Sequence, residues 1–131
     1  MATSFVPSTV FFARLRERIL KNIERDQGNS LECWIWQGSK KAPDGKYGRI
    51  RITFMGVTQS VGAHRAAYMA FNESFNLDHD VSHLCHNTLC VKPSHLSHEE
   101  RSVNAERSAC VPQGFCVGHS SKGQMLKPCI I

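Results

Sequence analysis

The sequence predicts a small α+β domain, and three features of its pattern indicate this. Residues 8–25 carry apolar side chains at helical spacing, residues 47–61 alternate as two strands do, and residues 81–131 are polar but crowded with cysteine and histidine. A chain of 131 residues fits one domain with a modest core. Because the C-terminal part offers little apolar surface, we expect cross-links formed by its cysteines and histidines to stabilise the fold there.

The first predicted element is a helix over about residues 9–25, with Ser8 as its N-cap. An apolar residue recurs every four positions and forms one stripe along it: Phe11, Leu15, Ile19 and Ile23. Arginine and lysine occupy much of the remaining surface. That surface is compatible with two interpretations, a solvated face and a face that contacts phosphates.

Short strands and helices are predicted in the middle of the chain. Residues 33–36 read as a short strand, residues 47–54 and 57–61 as a hairpin with its turn at Met55-Gly56, and residues 63–71 as a helix. A further short helix is expected over residues 99–107. Residues 110–131 show no regular period.

The predicted hairpin has one polar face that suits nucleic acid. Arg49, Arg51 and Thr53 alternate with apolar residues and therefore share that face. A two-stranded ribbon fits the major groove of DNA, and the flanking Lys46 could reach a phosphate. The formal net charge of +5 favours a polyanionic partner weakly. An ordinary exposed sheet face is the alternative.

The six cysteines point to bound metal rather than to disulfides. No charged-then-apolar leader follows Met1 and no apolar run approaches 18 residues, so we expect an intracellular protein in a reducing compartment with no membrane contact. A small disulfide-rich secreted protein is the alternative.

Cysteine and histidine divide into two complete sets of zinc ligands. Zinc prefers four tetrahedral ligands of these two types. The downstream residues provide one set: Cys110, Cys116, His119 and Cys129. The upstream cluster has three ligands, and the one remaining cysteine completes it: Cys33, Cys85, Cys90 and His95. With four protein ligands each, both sites are expected to be structural, because a catalytic zinc keeps one position open.

The segment Ser82-His83-Leu84-Cys85-His86-Asn87-Thr88-Leu89-Cys90, followed by Pro93, His95 and Asn104, resembles the His-Cys box of homing endonucleases. These belong to the wider ββα-metal, or HNH-type, nucleases. The resemblance covers roughly residues 33–129 and includes Tyr47-Gly48-Arg49 and Ala63-His64-Arg65. It implies a ββα-metal nuclease core with an antiparallel hairpin sheet, short helices and two structural zinc sites. We accordingly divide the chain into an N-terminal basic helical segment, 1–30, and a zinc-stapled nuclease domain, 31–131.

The resemblance also implies roles in catalysis. His83 matches the general base, and Asn104 matches the ligand of one divalent metal, which we expect to be Mg2+. An imidazole with an ordinary pKa near 6.5 suits water activation at neutral pH. Double-stranded DNA is the implied substrate, a homodimer is possible, and the nucleus is the expected location in a eukaryote.

The family also carries an arginine that contacts the scissile phosphate. The corresponding position here lies near Gln59, which is not basic. Arg49, Arg51 and Arg65 are therefore the candidates for the phosphate-contacting arginine.

Three functions fit these observations. The first is a metal-dependent DNA endonuclease that hydrolyses phosphodiester bonds. The second is a catalytically inactive, zinc-stabilised DNA-binding module, which would need neither His83 nor Asn104. The third is an interaction module built on zinc loops, whose basic charge would be incidental.

Overall fold

A computed structural model describes residues 8–25, 32–41, 45–74 and 78–130. The helices are α1 (Ser8–Leu20), α2 (Ala63–Asn72), α3 (Arg101–Arg107) and α4 (Cys110–Gln113), with a 3₁₀ turn at Pro93–His95. The strands form four antiparallel pairs: β1 (Ile23–Arg25) with β2 (Trp34–Trp36), β3 (Arg49–Phe54) with β4 (Val57–Gly62), β5 (Asp80–His83) with β6 (Leu96–Glu99), and β7 (Ser120–Ser121) with β8 (Gln124–Met125). Among the described residues, no helix has the length and apolar character needed to cross a membrane.

Helix α1 begins at Ser8 but ends at Leu20, so the prediction that it extends to about residue 25 is wrong. The Asn22 side chain donates to the Arg18 carbonyl at 2.8 Å and satisfies a backbone acceptor of the last helical turn. The chain then enters β1, where Ile23 lies opposite Trp36. Pairing with β2 gives the backbone at 23–25 the hydrogen bonds that a longer helix would have supplied.

The predicted hairpin is confirmed as β3 and β4. Ile50 and Ile52 are buried, whereas Arg51 and Thr53 are exposed. The two turn residues, Met55 and Gly56, both have positive φ, at 54° and 77°. Two consecutive positive φ angles match the twist of a two-residue hairpin turn, which fixes the register of the strands.

Helix α2 is the centre of the main core. Its buried face consists of small side chains and Met69, which allow α1 and β3 to approach closely. Leu15 and Ile19 of the predicted apolar stripe are buried against it, whereas Phe11 and Ile23 are only partly buried. Phe12, which lies off the stripe, is buried. Gly48 lies beneath the indole of Trp36, and a Cβ there would fall 2.3 Å from a ring carbon. The glycine of the Tyr47-Gly48 pair is therefore required by packing.

The elements β5, β6 and α3 follow one another in ββα order, with the upstream zinc ligands in and beside the connection between the strands. The predicted helix over 99–107 is shorter than expected, because Glu99 ends β6 and α3 starts at Arg101. The α+β fold class is confirmed. Helix α1 packs into the same core as the rest, and residues 26–31 lie outside the described residues, so a boundary at residue 30 stays a prediction.

Candidate functional site

The upstream zinc ligands converge on one buried point. The three sulfur atoms and one nitrogen all lie within 4.8 Å of one another: Cys33, Cys85, Cys90 and His95. Nδ1 of His95 lies 3.5 Å from the Cys90 sulfur and 3.7 Å from the Cys33 sulfur. A tetrahedral zinc ion would separate its sulfur and nitrogen ligands by about 3.5 Å. The arrangement therefore fits zinc, and Cys33 ties β2 to the β5–β6 connection.

The downstream ligands converge in the same way: Cys110, Cys116, His119 and Cys129. Nε2 of His119 lies 3.5 Å from the Cys110 sulfur and 3.6 Å from the Cys129 sulfur. Backbone amides of Cys129 and Gly118 each donate to the Cys116 sulfur at 3.4 Å. The hydrogen bond from the Cys129 amide is the main cause that lowers the pKa of Cys116 to about 6, and burial opposes this shift. The lowered pKa favours the thiolate, which is the form that zinc binds.

Two charged residues of α3 support the downstream cluster. The Glu106 carboxylate lies 2.5 Å from Nδ1 of His119, the nitrogen that faces away from the sulfur atoms. A carboxylate in this position fixes the ring orientation and strengthens the nitrogen as a metal ligand. Arg107, fully buried, donates to the Cys129 sulfur at 3.4 Å and to the Lys127 carbonyl at 2.8 Å. The tail thus attaches to α3 through both the ligand cluster and this arginine.

His83 lies at the end of β5, half-buried beneath two other rings. Its ring centroid is 4.4 Å from that of His64 and 6.1 Å from that of Tyr47. Nε2 of His83 is buried with no hydrogen-bond partner in the described part of the chain. Burial lowers the pKa of His83 to about 4, and a hydrogen bond to the Cys90 backbone opposes this shift only partly. The ring is therefore neutral at pH 7 and can accept a proton.

Asn104 lies on α3, facing the strand that ends at His83. The Ser82 hydroxyl donates to its Oδ1 at 2.8 Å, and its Nδ2 donates to the Asp80 carboxylate at 3.1 Å. These two bonds orient the amide, because the donor must face Asp80 and the acceptor must face Ser82. Ser82 is adjacent to His83 in β5, so the strand positions both candidate catalytic residues.

A family model described as the zinc-binding loop region of homing endonuclease matches residues 32–130. The chain belongs to this homing endonuclease family. Among curated proteins, none matches the chain. The match spans both Cys/His clusters and the β5–β6–α3 unit, whereas α1 and β1 precede it. Membership implies a nuclease and a DNA substrate.

The predicted DNA-contacting residues do not all share one face. Arg51 and Thr53 are exposed on the face opposite Ile52, and Arg49 is half-buried, with its Nη2 donating to the Ser60 carbonyl at 3.0 Å. Gln59 pairs with Ile52 across the hairpin and therefore lies on the core-facing side. The register thus separates Gln59 from the other predicted hairpin residues.

Two predicted contacts come from outside the hairpin strands. Lys46 is exposed, and its carbonyl accepts the Thr88 hydroxyl, which ties this loop to the zinc-bearing connection. Arg65 lies in the first turn of α2, and its Nη1 is buried without a hydrogen-bond partner among the described residues.

Sequence reasoning missed the residues that support the predicted ligands. Asp80 and Ser82 lie two residues apart on β5 and both contact Asn104. The available signal was their alternation in a strand, but a four-residue strand is too short to stand out. Glu106 and Arg107 resembled ordinary charges of a polar helix.

Proposed function

We propose that this chain is a metal-dependent DNA endonuclease that hydrolyses phosphodiester bonds, with His83 as general base and Asn104 as the ligand of Mg2+. Family membership supports a nuclease acting on DNA. The observation that supports these catalytic roles best is the state of His83. Its ring is neutral and forms a hydrogen bond to the Cys90 backbone. Its Nε2 has no hydrogen-bond partner among the described residues.

His83 would take the proton of the attacking water at Nε2. A hydrogen bond to the Cys90 carbonyl places the ring proton on the other nitrogen, which leaves Nε2 as the acceptor. The same bond fixes the ring relative to the upstream cluster, because Cys90 is one of its ligands. This bond stabilises the imidazolium that forms when the proton arrives, since it raises the pKa of His83.

Asn104 fits the role of an oxygen ligand for Mg2+. Its Oδ1 accepts one hydrogen bond from Ser82 and retains a second lone pair, and the Asp80 carboxylate lies at the nitrogen end of the same amide. Mg2+ prefers oxygen ligands and keeps several waters, so one or two protein ligands suffice. Bound there, it would stabilise negative charge on the leaving oxygen.

Arg65 is the arginine that the geometry favours for the scissile phosphate. It follows His64, whose ring packs on His83, and its buried Nη1 has no partner among the described residues. A buried guanidinium nitrogen without an acceptor is costly, and a phosphate oxygen would satisfy it. Gln59, on the core side of the hairpin, is less suited to this role. A homodimer, and a nuclear location in a eukaryote, stay predictions.

Incubation of supercoiled plasmid with the zinc-loaded protein, with and without Mg2+, tests this function. The proposal expects conversion to nicked or linear DNA only when Mg2+ is present. Retarded plasmid without any strand break would instead support the inactive DNA-binding module. Neither binding nor cleavage would support the interaction module.

A further inference from the structure

A cationic cleft lies between helix α1 and strand β3, outside the proposed catalytic centre. Its volume is about 250 Å3, and its lining combines an apolar floor with a basic rim: Phe11, Arg14, Leu15, Arg18, Arg51 and Thr53. Leu15 is fully buried, so the floor is rigid core, whereas Arg14, Arg18, Arg51 and Thr53 are exposed.

The position of α1 beside β3 is fixed by hydrogen bonds. Arg18 donates to the carbonyl of Arg51 at 3.0 Å, on the edge of β3 that is not paired with β4. Arg16 donates to the Ala70 carbonyl at 2.8 Å and anchors α1 to the end of α2. Both bonds use backbone carbonyls as acceptors, so neither arginine loses its positive charge to an acid.

No acidic side chain in the part of the chain that the structure describes neutralises the positive charge of the cleft. Within the described residues, the guanidinium groups of Arg14 and Arg51 have no hydrogen-bond or ion-pair partner, and no acidic residue lines the cleft. Lys21, just after the end of α1, differs because it pairs with Glu17 at 2.9 Å. Three like charges around one small cleft repel each other, and a bound anion would relieve this repulsion.

The cleft also continues into the polar face of the hairpin. Arg51 lines both this cleft and a neighbouring cavity of about 470 Å3, which Arg49 and Ser60 also border. The two cavities therefore meet at Arg51, with Arg49 bordering one and Arg14 the other. Helix α1 precedes the region shared with the homing endonuclease family, so this extension belongs to the part of the chain that the family model does not match.

We propose that the cleft binds a backbone phosphate of duplex DNA next to the segment contacted by β3 and β4. Arg14 and Arg51 would donate to the phosphate oxygens, and the Thr53 hydroxyl would add a neutral donor. Arginine suits this role because its planar group binds phosphate through two parallel hydrogen bonds. The inference rests on DNA being the substrate, as proposed above, and adds that α1 lengthens the bound DNA segment.

DNA affinity measured over a range of salt concentrations tests the inference. The assay uses the full zinc-loaded chain, a mixed-sequence duplex and no added Mg2+, so no cleavage occurs. Loss of one phosphate contact lowers the slope of log affinity against log salt by about 0.9. Arg14→Ala should show this loss and bind several-fold more weakly. The control, Lys21→Ala, removes an exposed charge just after the end of the same helix and should leave the slope unchanged.

Two further variants make the test specific for one shared phosphate. Arg14→Lys keeps the charge and should keep the slope, and Arg14→Ala combined with Arg51→Ala should lower it no further than Arg51→Ala does alone. Equal slopes for Arg14→Ala and Lys21→Ala would overturn the inference, as would fully additive losses for the two arginines. If the wild-type chain binds no DNA, the proposed function itself fails. If it binds and nicks DNA but Arg14→Ala changes nothing, only this inference fails.

Discussion

The ion pair between Arg107 and Glu99 joins three parts of the molecule, and its loss should destabilise the fold more than loss of an exposed ion pair. Arg107 is 1% exposed and Glu99 4%. Nε of Arg107 donates to one carboxylate oxygen and Nη2 to the other at 2.9 Å. Burial alone would raise the pKa of Glu99, but hydrogen bonds from Arg107 and Ser97 outweigh it and hold the pKa below its ordinary value.

Replacement Arg107→Met removes the cation and leaves a buried carboxylate without its counter-ion. Breaking a buried pair in this way costs about 3–5 kcal/mol. The Lys127 carbonyl and the Cys129 sulfur lose a donor at the same time, so the upper half of that range is expected. Urea unfolding with saturating zinc measures the cost as a loss in the free energy of unfolding.

Arg101→Met is the matched control on the same helix. The Arg101 side chain is 89% exposed and lies 3.7 Å from Asp80, so this change should cost less than about 1 kcal/mol. The double variant Glu99→Gln with Arg107→Met should cost less than the sum of its single changes, because no isolated charge stays buried. If Arg107→Met costs no more than Arg101→Met, the buried pair does not hold the tail to the core.

Three other predictions follow from the site. Glu106→Gln should lower the zinc affinity of the downstream site about 10–100-fold, because it releases Nδ1 of His119. Competition with a chromophoric chelator should show one zinc ion bound more weakly and the other bound as before. Equal weakening of both sites would contradict the assignment. Burial, followed by the neighbouring charges of His83, Arg65 and Arg49, lowers the pKa of His64 to about 3. Below pH 6.5 the unfolded chain therefore takes up a proton that the folded chain does not, so this group should lower the free energy of unfolding by about 1.4 kcal/mol between pH 7.5 and 5.5. His64→Phe should flatten that pH dependence by a similar amount. An unchanged slope would show that His64 titrates normally in the fold. Asn104→Ala should raise the Mg2+ concentration needed for half-maximal cleavage while leaving DNA affinity without Mg2+ unchanged; an unaltered Mg2+ dependence would remove Asn104 from the metal site.

The parts of the fold that the sequence predicts are those with a strong local signal. Strand β3 alternates because Ile50 and Ile52 face the core while Arg51 and Thr53 face solvent. The cysteines could be divided into two ligand sets because zinc needs four ligands and no thiol was left over. Both signals are carried by residue type and spacing alone.

The missed features depend on contacts between distant segments. Strand β1 has only three residues, and its pairing with β2 decides where α1 ends. The pKa of His83 departs from 6.5 because His64 and Tyr47 cover its ring, and nothing near residue 83 in the sequence indicates this. Asp80, Ser82 and Glu106 gain their roles only once α3 lies against β5 and against the tail.

The cleavage rate of His83→Ala under single-turnover conditions, measured together with its zinc content, tests the central claim most directly. The account predicts two bound zinc ions, unchanged DNA affinity without Mg2+, and a rate lowered about 10²–10⁴-fold by loss of the general base. His79→Ala, which removes an exposed imidazole before β5, should cleave at the wild-type rate. A His83→Ala protein that has lost a zinc ion would make His83 a ligand, and one that cleaves as fast as wild type would contradict the catalytic mechanism.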